Sequence, residues 1–324
     1  MRNYVLAAIT FVTVSLAAAA YGGWAYEGKW GSYGSGNGQF HYPKDVAVSP
    51  ANGNVYVTDT YNHRIQYFKA TGSFLGKWGS NGSGNGQFDY PWSVAVAPGG
   101  KVYIADSSND RAQYFTATGS YLGQWGFEGP GNGGFDGPFG IAVAPSGTVY
   151  IADTGNDRVQ YFTATGSFLG KWGNHGTGDG EFIFPEGIAV APGGNVYVTD
   201  SNNSRVEYFT STGSFLGQWG SHGPAEGQFD SPAGVAVGPG FVIYVADRDN
   251  DRIQYFTANG SYIGQWGLGG VGNGQFQRPT GLCLNGAGSR AYVADTNNER
   301  IQYFNRNEPA VEPASLGRVK ALFK

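Results

Sequence analysis

The stretch NVYVTDTYNHRIQYF, residues 54–68, decides the fold, because close copies of it follow at a fixed interval along the rest of the chain. Its Asp59 recurs as Asp106, Asp153, Asp200, Asp247 and Asp295, and its Arg64 as Arg111, Arg158, Arg205, Arg252 and Arg300, every 47 or 48 residues. Trp-Gly pairs keep the same step, beginning at Trp30, Trp78, Trp125, Trp172, Trp219 and Trp266. A fixed period of this length marks a solenoid, a propeller or an array.

Working outward from that stretch, one unit reads as four short strands. DVAVSP (residues 45–50), NVYVTD (54–59), RIQYF (64–68) and SFLGKWG (73–79) are each rich in β-branched and aromatic residues. Gly-Asn, Asn-x-Arg and Thr-Gly punctuate them as turns. No window supports a long helix. Four antiparallel strands repeated six times predict an all-β, six-bladed β-propeller. A four-stranded sheet cannot bury both faces alone, so neighbouring blades must cover it. Phe40, Tyr67, Phe68, Trp78 and their equivalents supply the filling.

The last repeat stops at RIQYF (residues 300–304) without its fourth strand, and the missing piece stands at the other end of the chain. YEGKWG (residues 26–31) matches FLGKWG (residues 74–79). The N-terminal strand is therefore expected to complete blade six, since two raw sheet edges would otherwise stay open.

The repeat P-x-x-V-A-V … V-Y-V-x-D-T-x-N-x-R-I-Q-Y-F … W-G resembles the NHL repeat, and Asn62-His63 retain the Asn-His start of the motif that names it. The resemblance runs over residues 26–304 and implies a propeller. It leaves function open, because similar proteins include enzymes, RNA binders and receptor ectodomains.

Composition narrows the partners. The 324 residues carry a formal net charge of -4, with 14% charged and 40% apolar residues, which describes a globular chain with no general attraction to nucleic acid or anionic lipid. The 55 glycines and 15 prolines would suggest low complexity without a period, but the glycines recur at matching positions and read as turns. Cys283 is the one cysteine and excludes an internal disulfide. It occupies the slot of Ala47, Ala95, Ala142, Ala189 and Ala236, so it reads as a small buried apolar residue.

Three segments follow. Residues 1–20 read as a secretory leader: Arg2, an apolar run over residues 4–16 and Ala18-Ala19-Ala20. The alternative is an uncleaved membrane anchor; either reading puts the ring outside the cytoplasm, secreted or periplasmic. Residues 21–304 form the propeller. Residues 305–324 read as a Pro/Glu linker and a basic, apolar tail whose pattern fits a helical or a strand face, either a frayed terminus or a tether to another subunit.

The turn Asp-x-x-Asn-x-Arg appears in every blade. Its members are Asp59, Asn62 and Arg64 in blade one, Asp106, Asn109 and Arg111 in blade two, and Asp153, Asn156 and Arg158 in blade three. Blades four to six carry Asp200, Asn203 and Arg205, then Asp247, Asn250 and Arg252, then Asp295, Asn298 and Arg300. Six copies in one context read as structural. The side chains of Asp and Asn would hold the turn's N–H groups, and Arg a nearby carboxylate or carbonyl. Binding is better sought where blades differ. The residues after the inner-strand proline include Lys44, Trp92, Phe139, Glu186 and Thr280, and those before it Tyr42, Tyr90, Phe184 and Arg278. In a propeller these positions ring the mouth of the central channel.

Metal chemistry has weak support. Asp247, Asp249 and Asp251 imitate a calcium loop, but Arg252 stands at its sixth position and Ala258 at its twelfth, which excludes an EF-hand. His41, His63, His175 and His222 do not fall at matching inner positions, so no zinc set is expected. Residues 34–40 lack the helix and Lys-Ser/Thr of a phosphate cradle, and no nucleophile elbow is present. The expectation is a non-catalytic propeller without cofactor, serving as a protein-binding or self-assembly platform, with no nucleic-acid partner. The alternative is a metal-dependent lyase or hydrolase acting at the channel.

Overall fold

In a computed structural model, residues 23–307 are described, and they form six four-stranded antiparallel sheets. Blade one comprises Pro43–Val48, Val55–Asp59, Arg64–Phe68 and Phe74–Trp78, innermost strand first. The inner strand starts two residues before the Asp45 expected from sequence and ends at Val48, because Ser49 N–H bonds Asn54 O at 2.8 Å and turns the chain there.

Blade six is stitched from both ends of the chain. Trp24–Trp30 pairs antiparallel with Arg300–Arg306, with Tyr26 opposite Phe304 and Trp30 opposite Ile301. The closure read from the sequence is therefore present, and longer than the repeat comparison indicated. Trp24 lies 5.2 Å from Trp266 of blade five, Arg290 pairs with Glu27 at 2.6 Å, and Asn307 N–H bonds Gly23 O at 2.8 Å.

The core lies between blades rather than within them. At the seam of blades six and one, Phe40, Val46, Val55, Val57 and Phe68 pack with Tyr292, Ala294 and Ile301, and Trp30 sits 5.6 Å from Phe68. Phe40 and Phe68 are fully buried, each worth roughly 1.5–3 kcal/mol of apolar transfer. Tyrosine hydroxyls lace the seams: Tyr56 donates to Ala117 O at 2.8 Å, and Tyr103, Tyr150, Tyr197 and Tyr292 repeat the bond one blade further on.

Inner strands approach closely where glycine allows it. A Cβ on Gly187 would stand 2.2 Å from Ala233 O of the next blade, so a side chain there would force the two inner strands to shift. Among the described residues no helix is long and apolar enough to cross a membrane. The leader expected at residues 1–20 and the tail beyond residue 307 lie outside the described residues.

Candidate functional site

The repeated turn is a buried hub. In blade one, Asp59 Oδ2 accepts from Arg64 Nε at 2.6 Å and Gln66 Nε2 at 3.0 Å, while Oδ1 accepts from His41 N–H at 2.8 Å and Asn62 Nδ2 at 2.9 Å. Arg64 directs its remaining donors to the carbonyls of Ser35, Gly36 and Gln39. Burial pushes the Asp59 carboxyl up, against the pull of the His41 N–H and the Arg64 guanidinium. The same Asp–Arg contact, 2.6 to 2.7 Å, stands in all six blades.

The roles expected of Asp and Asn need correction. Asp59 holds the preceding loop at His41, not the N–H groups of its own turn, which is a 3₁₀ turn at Thr60–Asn62 closed by His63 N–H on Thr60 O. Both carboxylate oxygens are already taken, so the turn closes on its own backbone. The asparagines do not hold turn N–H groups either; each uses its amide as a donor. Asn62 Nδ2 donates to Asp59 and to Gly34 O at 2.9 Å. Asn109 donates to Asp106 and Gly82 O, both at 3.0 Å, and Asn156 to Asp153 at 3.0 Å and, more weakly, to Gly129 O at 3.4 Å. Asn203 donates to Asp200 and Gly176 O at 2.8 and 2.9 Å, Asn250 to Asp247 and Gly223 O, and Asn298 to Asp295 and Gly270 O. The reason is the carboxylate three residues earlier: it is an acceptor, so the facing amide presents its nitrogen and bridges it to the loop.

Gln66 completes the hub by donating to Gln39 O at 2.6 Å and accepting from Gly38 N–H at 2.9 Å. Gln113, Gln160, Gln254 and Gln302 repeat it, but blade four carries Glu207. Its Oε1 accepts a long bond from Gly180 N–H, 3.3 Å, and meets Arg205 at 3.2 Å. Among the described residues its Oε2 is buried with no partner, and burial pushes the carboxyl up to about 7.

Most of the candidate positions flanking the inner-strand proline converge on the channel mouth, with Tyr90 and Glu186 excepted. Tyr42, Tyr90, Phe184, Ser231 and Arg278 all take φ between 49° and 62°, the left-handed region. Such backbone is costly for non-glycine residues and needs external support. For three of them an acid of the preceding blade gives it: Glu299 accepts the Tyr42 N–H at 2.6 Å, Asp157 the Phe184 N–H at 2.8 Å, and Asp251 the Arg278 N–H at 2.7 Å, while His63 Nδ1 accepts the Tyr90 N–H at 3.2 Å. The acids beside the turn arginines are therefore clasps between blades. A β-bulge follows the proline, between Pro43 and Val46 in blade one, and aims the next side chain at the mouth.

The mouth encloses about 420 Å³ and is walled by Tyr42, Lys44, Tyr61, Trp92, Phe139, Phe184, Arg248, Arg278, Thr280, Thr296 and Asn297. Trp92 stacks on Phe139 at 3.8 Å and 12°, and Phe184 meets Phe139 edge-on at 5.3 Å. Lys44 Nζ stands 4.8 Å above the Trp92 ring. Opposite, Arg248 Nη1 pairs with the buried Glu186 at 2.7 Å, and Arg278 with Asp249 at 2.9 Å. Tyr90 stands outside this wall, against Tyr61 at 4.9 Å and His63 at 4.8 Å. Thr280 bonds inward to Lys44 O.

Below the mouth a narrower space of about 300 Å³ runs between the inner strands. Asp45 lines it. Its carboxylate accepts from Ser93 Oγ and from Val94 N–H at 3.0 Å, and desolvation pushes it up to about 6. Cys283 also lines this space, and burial pushes its thiol well above the ordinary range, so it is a poor nucleophile.

The weak calcium acids do not meet. Asp247 is committed to Arg252 and Asn250, while Asp249 and Asp251 both engage Arg278. His175 pairs with Asp157 at 2.7 Å and His63 with Asp89 at 3.4 Å, in separate blades. Among the described residues no three His, Cys, Asp or Glu side chains gather as metal ligands.

Sequence reasoning missed Asp45, Arg248 and Glu207. Each had a signal. Asp45 stands where four blades carry Gly140, Gly187, Gly234 and Gly281, Arg248 where the others carry Ser or Thr, and Glu207 where the others carry Gln.

Segments 40–68, 88–111, 135–162, 182–209 and 276–304 match the NHL repeat. Blade five folds alike without such a match. No curated protein sequence matches the chain. Solved structures with the same fold include a streptogramin B lyase (17% identity over 81% of this chain and 78% of that one, TM-score 0.57). They include a Bacteroides thetaiotaomicron protein of unknown function (17%, 87% and 73%, TM-score 0.65). A Xanthomonas campestris gluconolactonase is a third (15%, 90% and 92%, TM-score 0.62).

Proposed function

We propose that this NHL-repeat propeller is a non-catalytic binding protein whose ligand seat is the channel mouth. One observation carries the reading: the six hubs are consumed by the fold, and the blades diverge where Lys44, Trp92, Phe139, Phe184, Arg248 and Arg278 wall a common cavity. A cavity of a few hundred Å³ with apolar walls and a few fixed polar groups suits a small ligand or a short protruding segment. The leader-like residues 1–20 support placing it outside the cytoplasm, where it would act as a binding or assembly platform. The test is a ligand and peptide panel read by Trp fluorescence, with Trp92→Ala as control. A panel in which no binder depends on Trp92 would sink the reading.

A catalytic role at the channel is the second reading. It is favoured by Asp45, a carboxyl pushed up to about 6 beneath the mouth, and by solved neighbours titled lyase and gluconolactonase. Lactone hydrolysis by purified protein, lost in Asp45→Asn, would favour it.

A further inference from the structure

The mouth has a chemical bias. Every charged side chain that walls it is a cation, Lys44, Arg248 or Arg278. The two arginines are neutralised, by Glu186 and Asp249. Lys44 is not: among the described residues its Nζ has ring faces for neighbours, Trp92 at 4.8 Å and Tyr42 at 5.7 Å, and neither a hydrogen bond nor an ion pair. Arg248 leaves a second vacancy of the same sign, because among the described residues its Nε is buried without an acceptor.

Among the described residues no carboxylate pairs with this desolvated ammonium, an unusual thing to keep, and the fold does not require it. Blade five places Ala233 in the same slot and blade six Thr280. The neighbouring acids are engaged elsewhere and offset the burial only in part. Glu186 is taken by Arg248, and Glu299 by the Tyr42 N–H. Burial moves the Lys44 ammonium down to about 8, with Arg248 and Arg278 adding to the effect and Glu186 and Glu299 opposing it. An incoming anion would reverse that shift. Beside Lys44, the Trp92 faces are taken by the ammonium and by Phe139, and Phe184 meets Phe139 edge-on, so this aromatic row walls the mouth with its ring edges. Ring edges carry the positive side of the aromatic quadrupole and favour the face of an incoming ring, so together with one unpaired cation they select a planar aromatic body with a single negative group.

Resting on the reading of the mouth as a ligand seat, we propose that it binds aromatic carboxylates, the carboxylate on Lys44 Nζ and the ring against Trp92 and Phe139.

The probes are 2-naphthoate and its neutral isostere 2-naphthamide, titrated by calorimetry and Trp fluorescence against the wild-type protein, Lys44→Ala and Trp92→Ala. Both substitutions place a residue that blade five already carries there, and unchanged melting temperatures show that the ring is intact. The expected result is naphthoate binding at least ten-fold tighter than naphthamide. That preference vanishes in Lys44→Ala, and binding of both probes falls ten-fold or more in Trp92→Ala. Equal binding of acid and amide, still dependent on Trp92, would overturn the anion selectivity and leave the mouth as a seat. Naphthoate binding undiminished in Lys44→Ala, or no binding of either probe, would overturn the proposal. The broader reading fails separately, if no ligand of any class depends on Trp92.

Discussion

Replacing Glu207 by Gln tests the hub logic at the one blade that breaks it. In five blades an amide nitrogen donates to a loop carbonyl at 2.6 to 2.7 Å and to the hub aspartate at 2.9 to 3.0 Å. Glu207 puts an oxygen in that place, against the acceptors Glu181 O and Asp200 Oδ2. The match is restored only when Glu207 carries a proton and donates it. Folding therefore raises its pKa from the ordinary 4.5 to about 7. Between those values the folded state holds more protons than the unfolded chain, so stability is full below 4.5 and is lost as the pH rises through 7. The interval corresponds to roughly 3 kcal/mol, and to about 2 kcal/mol once screening is allowed for. Arg205, at 3.2 Å, takes the charge that remains, with Asp200 and Asp179 opposing. Urea unfolding of the wild-type protein and Glu207→Gln at pH 4.5 and pH 8 measures the difference. The variant should match the wild-type protein at pH 4.5 and exceed it by about 2 kcal/mol at pH 8. A variant no more stable at pH 8 would show that the buried oxygen has another partner, and the reasoning would fall.

The reverse change, Gln66→Glu, should transplant the behaviour into blade one, costing about 2 kcal/mol at pH 8 and little at pH 4.5 in the same assay. Asp45→Asn should remove a separate loss of stability as the pH rises through about 6, because its folded carboxyl also lies above the ordinary 3.8; unfolding midpoints from pH 4 to 7 report it. Deleting residues 24–30 exposes the edge at Arg300–Arg306 and strips Trp24, Tyr26 and Trp30 from the core. On the order of 5 kcal/mol is lost, with aggregation on sizing columns, and an unchanged melting temperature would contradict the closure. Affinity for 2-naphthoate should weaken as the pH rises through about 8, where Lys44 gives up its charge, and calorimetry at pH 7 and pH 9 reads the change.

The blades and their closure were legible because repetition multiplies a weak signal: six Trp-Gly pairs and six Asp…Arg pairs cannot share a register by accident. The rim positions were legible by the opposite rule, since Lys44, Trp92 and Phe139 differ where their surroundings do not. What escaped was partnership. The pattern marked Asn109, Asn156, Asn203 and Asn298 as turn residues, but not that their amides reach back to a loop 27 or 28 residues earlier. Nothing near Glu299 in the chain says that it holds Tyr42, 257 residues away, in a left-handed turn. Nothing near Arg248 points to Glu186, 62 residues earlier. Such bonds follow from the curvature of the ring, which a pattern of residue types does not encode. Asp45 and Glu207 differ from their counterparts by the same rule, but a changed letter does not tell that its carboxyl is buried.

The bond from Asn307 N–H to Gly23 O has a consequence for engineering. The two ends of the described chain emerge together, so a short peptide could join them and the backbone be opened in any hairpin between strands. Such a circular permutant should fold into the same ring, with its covalent break moved to another wedge. The molecule would then have no obligatory beginning, and a fused cargo could be pointed in any of several directions from one scaffold.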